Sequence, residues 1–302
     1  MSVLQHQTAT IQINYISKED LYNFLYWDHR IYDIRSKCDY DTSHVCRSHH
    51  MHPFPNISID QVFDIDQQID DDYGKCEHPS DVIIYTNNLN NSNYEIEMKI
   101  FECLREYLLS TKNTSNKFLK KINILTDGYE SFHTAYPFLC SDHSEFDRCS
   151  QMTWPSYITP NIYLGSSICR DETVISMLRI THVLSFSDYA EKTIQLSNIK
   201  TLHYQISDSL STDFLSLFSS IVRWISKSID DDRGILLIHC EQGVSRSAAI
   251  VIAYLLYSNE YFSTVNEAFQ FVKSKRGVIR PNQSFMEQLE QYLNHIRTTK
   301  NQ

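Results

Sequence analysis

From residue 154 onward, the hydrophobic pattern switches repeatedly between short apolar runs and helical spacing. "NIYLG" (161–165), "THVLSFS" (181–187) and "TLHYQI" (201–206) read as strands. Residues 212–229 follow, with Phe214, Leu217, Phe218, Ile221, Val222 and Ile225 on one face at helical spacing. "GILLIH" (234–239) is an unbroken apolar run, the pattern of a strand covered on both faces. It predicts a buried strand, and the apolar stretch after it predicts a helix from Ser245 to Ser258. "STVNEAFQFVKSKRG" (263–277) opens with a capping box, Thr264 to Glu267, and ends at Gly277. A last helix is expected over 284–297. Strands alternating with helices predict an α/β fold around a central, mainly parallel sheet.

The polar stretch "SDHSEFDRCSQMT" (141–153) has no period and reads as a linker, so two domains are expected, over 14–140 and 154–299. The Asp-rich segment 64–72 and the Asn-rich segment 86–93 read as solvated loops, and no internal repeat is found. The net charge of −10 argues against a nucleic-acid or membrane-surface partner. The first residues lack the basic start and apolar core of a signal peptide. The longest apolar run, Ala248 to Tyr257, is too short to span a bilayer. Eight cysteines without paired spacing suit free thiols in a reducing compartment, which makes sequons such as the one at Asn113 chance matches. A cytoplasmic or nuclear protein is expected; oligomeric state is not readable.

Candidate chemistry concentrates in "HCEQGVSRS" (239–247), where the buried strand meets the buried helix. Open α/β sheets place ligands at such strand ends. A loop leading into a helix start offers backbone N–H groups with no intrahelical partner, and the helix dipole adds to their attraction for an anion. Gly243 allows the loop of Glu241, Gln242, Gly243, Val244 and Ser245 to curl tightly. Arg246 adds a planar fork suited to two phosphate oxygens. In that field Cys240 becomes a thiolate near neutral pH, and Ser247 can donate a hydrogen bond to its sulfur. The combination is a nucleophile aimed into a phosphate cradle, able to form a covalent thiophosphate. No metal or cofactor is required.

"HCEQGVSRS" resembles the signature of the dual-specificity branch of the protein tyrosine phosphatases. The resemblance extends over about residues 154–297, through "ITPNIYLGS" (158–166), "ITHVLSFS" (180–187) and "VIRPNQSF" (278–285), which carries Asn282 as a supporting residue. It implies an aspartate as general acid, and the matching position is Asp208; Asp213 is the rival, better placed to cap a helix. His239 is expected to support the loop rather than to act as a base. Relatives acting on inositol phosphates carry lysines at the variable loop positions, where this chain has Glu241, Gln242, Val244 and Ser245, so a phosphoprotein substrate is favoured. The expected activity is hydrolysis of phosphotyrosine, and of phosphoserine or phosphothreonine. The alternative is a pseudophosphatase scaffold that binds phosphorylated partners; the presence of Cys240, Arg246 and Asp208 speaks against it.

The first half resembles a rhodanese-like domain, as found before the phosphatase domain of MAP kinase phosphatases and in a pseudophosphatase relative of the serine/threonine/tyrosine-interacting type. It does so through "ISKEDLYNFL" (16–25), "IYDIRSKCDYDTSHV" (31–45), "DVIIYTNN" (81–88) and "INILTDGYESFHTAYPFLC" (122–140). A working sulfurtransferase needs a cysteine in the loop after its central strand. Here "VIIY" runs into Thr86, Asn87 and Asn88, with no cysteine before Cys103, so a binding or regulatory role is expected. A MAP kinase is a conceivable partner by this resemblance, but the basic docking cluster is not evident: only Arg47 stands beside His49, His50 and His52. Cys38, His44, Cys46, His49, His50 and His52 are ligand types, yet their spacing matches no familiar zinc module and reads as a polar loop.

Overall fold

The computed structural model describes residues 12–25, 30–51, 82–87, 121–141, 152–190, 198–258 and 262–300. The chain divides into two compact units, Met1–Gln151 and Met152–Gln302. The Asp-rich segment, most of the Asn-rich segment and the linker, with His52, Asn88 and Cys103, lie outside the described residues.

In the first unit, strands β1 (Gln12–Ile16), β2 (Arg30–Asp33), β4 (Ser48–His50), β5 (Val82–Tyr85) and β6 (Lys121–Leu125) form a parallel sheet in the order β1-β6-β5-β2-β4. The short strands β3 (His44–Val45) and β7 (Cys140–Ser141) pair antiparallel. Strand β5 is buried along its whole length, which is why it reads as "VIIY" without alternation. Helix α1 (Lys18–Phe24) opens with a reciprocal capping box between Ser17 and Asp20. Helices α2 (Lys37–Thr42) and α3 (Gly128–Ala135) and a 3-10 turn, Pro137–Leu139, complete the described elements. A buried charge is satisfied internally. Arg35 pairs with Asp33 at 2.6 Å, donates to the Ser43 carbonyl at 2.6 Å and stacks 3.6 Å from the centre of the Tyr129 ring. Without those partners, burying the guanidinium would cost several kcal/mol.

The second unit is built on the sheet β11-β10-β12-β9-β8. Strands β9 (Ile162–Ser166), β10 (His182–Ser187), β11 (Lys200–Gln205) and β12 (Leu236–Cys240) run parallel. The hydrophobic pattern did not predict β8 (Ser156–Thr159). It is a short edge strand, antiparallel to β9 with a bulge near Tyr157, and too short and mixed to show a period. Helix α4 (Glu172–Met177) follows β9, and α5 (Leu215–Asp230), α6 (Arg246–Ser258), α7 (Val265–Lys275) and α8 (Gln283–Lys300) come after β11. Helix α5 starts at Leu215 rather than at residue 212; Phe214 is its N-cap, and Asp213 just before it accepts the Ser216 N–H at 3.1 Å. The Thr264–Glu267 capping box opens α7.

Helix α6 is buried nearly all round. Its Ile250, Val251, Ile252, Leu255 and Leu256 sit in the core, each contributing roughly 1.5–3 kcal/mol of burial. Central strand β12 and this helix thus hold the loop between them from both ends.

Candidate active site

The loop from Cys240 to Arg246 closes around a cleft of about 550 Å³ lined by Asp208, Cys240, Arg246, Arg280, Asn282 and neighbouring loop residues. Its shape follows from where its carbonyls go. Those of four successive residues are taken from outside. Ser167 N–H bonds the Glu241 carbonyl at 3.2 Å, the Arg276 guanidinium bonds those of Gln242 at 3.2 Å and Gly243 at 2.9 Å, and Arg280 N–H bonds that of Val244 at 2.8 Å. On the other side, the Val244 and Ser247 backbone groups hydrogen-bond the Cys240 sulfur, as in an anion-binding nest. Gly243 has φ +66, and a Cβ there would lie 2.3 Å from the Gly165 carbonyl oxygen, so both conformation and space demand glycine.

Cys240 lies at the loop's start, 2% exposed, and its sulfur accepts the Ser247 hydroxyl at 3.1 Å. Burial by itself pushes the thiol pKa up. Hydrogen bonds from the Ser247 side chain, from the backbone at Ser247 and Val244, and the charge of Arg246 outweigh it, so the thiol is held below its ordinary value. Cys169, also buried but without that set, is pushed up. A depressed thiol pKa stabilises the fold above the free thiol's pKa, and that contribution fades as pH falls through the lowered value. Two results are expected. A limiting haloacetamide at mildly acidic pH labels Cys240 ahead of the exposed Cys38. In Ser247→Ala the pH dependence of that alkylation moves to higher pH; an unchanged profile would show that Ser247 does not tune the thiol.

Arg246 is 5% exposed. Its Nη1 donates to the Ile206 carbonyl at 2.8 Å and to Asp188 at 3.1 Å, and its Nε lies 3.9 Å from the Asp208 carboxylate. Buried Nε has no hydrogen-bond partner among the described residues, so a donor with a full charge remains available at the cleft. Asp208 accepts from Ser245 Oγ at 2.9 Å and from Asn282 Nδ2 at 2.7 Å. Asn282 in turn donates its backbone N–H to Ser245 Oγ and caps α8 by accepting from Phe285 N–H. His239 is fully buried. Burial, then the charges of Arg170 and His203, hold its pKa down to about 3 against a bond to the Cys240 backbone, so the ring is neutral over the working pH range.

Of the residues singled out, Asp208, Cys240, Glu241, Gln242, Val244, Ser245, Arg246 and Asn282 line one cleft, whereas Asp213 accepts the Ser216 N–H at the start of α5. Three residues that hold the loop or its arginine escaped the sequence reading, as did Arg280 at the cleft. Arg276 resembles any basic residue in a helix's last turn, yet it is 3% exposed and clamps the loop. Asp188, after β10, positions Arg246. Ser167, after β9, holds Glu241. Only Arg276 left a trace, a cation before a glycine in "KRG". In the first unit, no group of three metal-ligating side chains is found among the described residues, and His44 instead contacts the Tyr40 carbonyl and stacks on its ring.

A thiol held low by hydrogen bonds, with an arginine and a carboxylate in the same cleft, makes a site suited to an anionic group at the end of a parallel sheet. Residues 162–295 match the model of the dual specificity phosphatase catalytic domain. Dual specificity protein phosphatase 4 of Rattus norvegicus is 32% identical over 207 residues, 59% of this chain and 50% of that protein. Tyrosine-protein phosphatase vhp-1 of Caenorhabditis elegans is 32% identical over 66% of this chain and 31% of its own length. The crystal structure of human DUSP28 superposes with a TM-score of 0.45 at 26% identity, covering 48% of this chain and 99% of that one. The chain spans about half the length, or less, of the curated relatives it matches. No described helix is long and apolar enough to cross a membrane.

Proposed function

We propose that the chain is a protein phosphatase acting through a cysteinyl-phosphate. The observation that carries this reading is the Cys240 thiol, held low by Ser247 and the Val244 and Ser247 backbone in a cleft that Arg246 also lines. The thiolate attacks phosphorus, a P–S bond forms, and the bond from phosphorus to the substrate oxygen breaks. Asp208 supplies the proton that the departing oxygen needs. Arg246 and the loop N–H groups stabilise the charge on the transferring phosphoryl oxygens. Water then attacks the phosphocysteine, Asp208 takes its proton, and inorganic phosphate leaves as the thiolate re-forms with Ser247 donating to it. Splitting the reaction matters because phosphate monoesters hydrolyse extremely slowly unaided. The absence of a basic residue at Glu241, Gln242, Val244 and Ser245 favours a phosphoprotein, with phosphotyrosine and phosphoserine or phosphothreonine as substrates. Acid quenching during turnover of an aryl phosphate, followed by peptide mass spectrometry, tests this: phosphate is expected on the peptide containing Cys240. Turnover without that adduct, while phosphate appears on another side chain, would sink the mechanism.

The first unit we assign as a rhodanese-like module without sulfurtransferase chemistry. Its support is strand β5 leading into Thr86 and Asn87, with no cysteine before Cys103. Thiosulfate:cyanide sulfur transfer by the full chain carrying Cys240→Ser is expected to stay at background; transfer above background would refute the assignment.

A further inference from the structure

The phosphate cleft contains a second arginine with a different situation from the first. Arg246 is buried and tied down by Asp188 and the Ile206 carbonyl. Arg280 lines the same cleft but is exposed, and its guanidinium has no hydrogen bond or ion pair among the described residues. Its backbone is not loose. Arg280 N–H bonds the Val244 carbonyl at 2.8 Å, buried Ile279 precedes it, and Pro281 fixes the chain that leads to Asn282. Asn282 itself bonds Asp208 and Ser245. A cation is therefore mounted on a firm base at the rim while its side chain remains free to take a partner.

The cleft lining also carries the reverse charge. Glu241 also lines the cleft, and Ser167 Oγ lies 3.4 Å from its Oε1 and 3.2 Å from its carbonyl. Ser167 follows β9, whereas Arg280 precedes α8, so the two charges are anchored by different elements.

We propose that Arg280 forms a second anion subsite at the mouth of the cleft, which selects phosphorylated residues carrying a carboxylate or a second phosphate on one side. The proposal rests on the phosphatase reading for where the first phosphate sits. A guanidinium favours carboxylate and phosphate alike, because both offer two oxygens to its fork. The effect is directional. An acid on the Arg280 side is attracted, while one on the Glu241 side meets a like charge.

The test is peptide binding to the full chain with Cys240→Ser, which measures recognition independently of turnover. One phosphotyrosine peptide is prepared with neutral neighbours, with glutamate on the N-terminal side, with glutamate on the C-terminal side, and with a second phosphorylated residue on either side. One side is expected to bind roughly three- to tenfold tighter than the neutral peptide, more so for phosphate than glutamate, with the gain shrinking as salt rises. Adding Arg280→Gln should bring the ratio of acidic to neutral peptide close to one, and Arg280→Lys should retain part of it. A merely structural role would lower every peptide alike and leave the ratio intact, which would overturn the proposal. Equal binding of all peptides, or a ratio that survives Arg280→Gln, would overturn it too. If the directional ratio depends on Arg280 while the wild type turns over no phosphoester, the subsite stands and the phosphatase reading falls.

Discussion

Cys240→Ser is expected to abolish phosphate release from an aryl phosphate, with a loss on the order of 10⁴-fold or more, the scale of removing a covalent nucleophile. A serine hydroxyl can keep the bond with Ser247, whose Oγ lies 3.1 Å from the native sulfur, but it is not ionised near neutral pH. The cradle does not depend on the sulfur. The Glu241, Gln242, Gly243 and Val244 carbonyls stay tied to Ser167, Arg276 and Arg280, and Arg246 keeps Asp188 and Ile206. Phosphopeptide binding should therefore persist in the variant. Steady-state release of phosphate by both proteins, beside titration of a phosphopeptide, makes the comparison. Residual release in Cys240→Ser close to wild type would end the covalent mechanism. A wild type that binds phosphopeptides but releases no phosphate would make the chain a scaffold instead.

Asp208→Asn is expected to slow hydrolysis of a phosphopeptide or phenyl phosphate about a hundredfold or more, the usual loss for a general acid. An activated aryl phosphate, whose phenolate leaves without a proton, should lose much less. The substitution is nearly isosteric, and the new side-chain oxygen can still accept from Ser245 Oγ and Asn282 Nδ2, so the loop should keep its place. Removing the carboxylate 3.9 Å from Arg246 Nε also takes away a competitor for that guanidinium, so phosphate binding should hold or tighten. Asp213→Asn is the control. Its carboxylate accepts the Ser216 N–H at the start of α5, and asparagine caps about as well, so little change is expected. Plotting rate against leaving-group acidity for the three proteins decides the matter. A leaving-group dependence that follows Asp213 would move the acid there, and none in either variant would place it elsewhere.

Much of this site is legible along the chain because its parts are close in sequence. The nucleophile, the glycine, the arginine and the serine fall within residues 240–247, between two apolar runs whose burial needs no knowledge of neighbours. Helical spacing likewise exposed α5, and the Thr264–Glu267 pair marked the start of α7, since capping is a local interaction. Strand β8 escaped because an edge strand of four residues is defined by its partner β9 rather than by its own pattern.

What the sequence by itself determined, then, is the sheet-and-helix alternation and the chemistry of one contiguous loop. Both follow from short-range periodicity and the intrinsic properties of thiol, guanidinium and glycine. Tertiary structure decided how other segments surround that loop. Asp208 and Asn282 are marked in the sequence only by resemblance, and Asp188 and Arg276 are not singled out; the separations are 58 residues for the Asp188–Arg246 bond and 74 for the Asn282–Asp208 bond. It also sorted three arginines of similar appearance into a buried guanidinium facing the cleft, a buried clamp behind the loop and an exposed cation at the rim. Sequence spacing carries no information about such long-range encounters, because they depend on how the strands and helices stack and on which side of the loop each residue arrives.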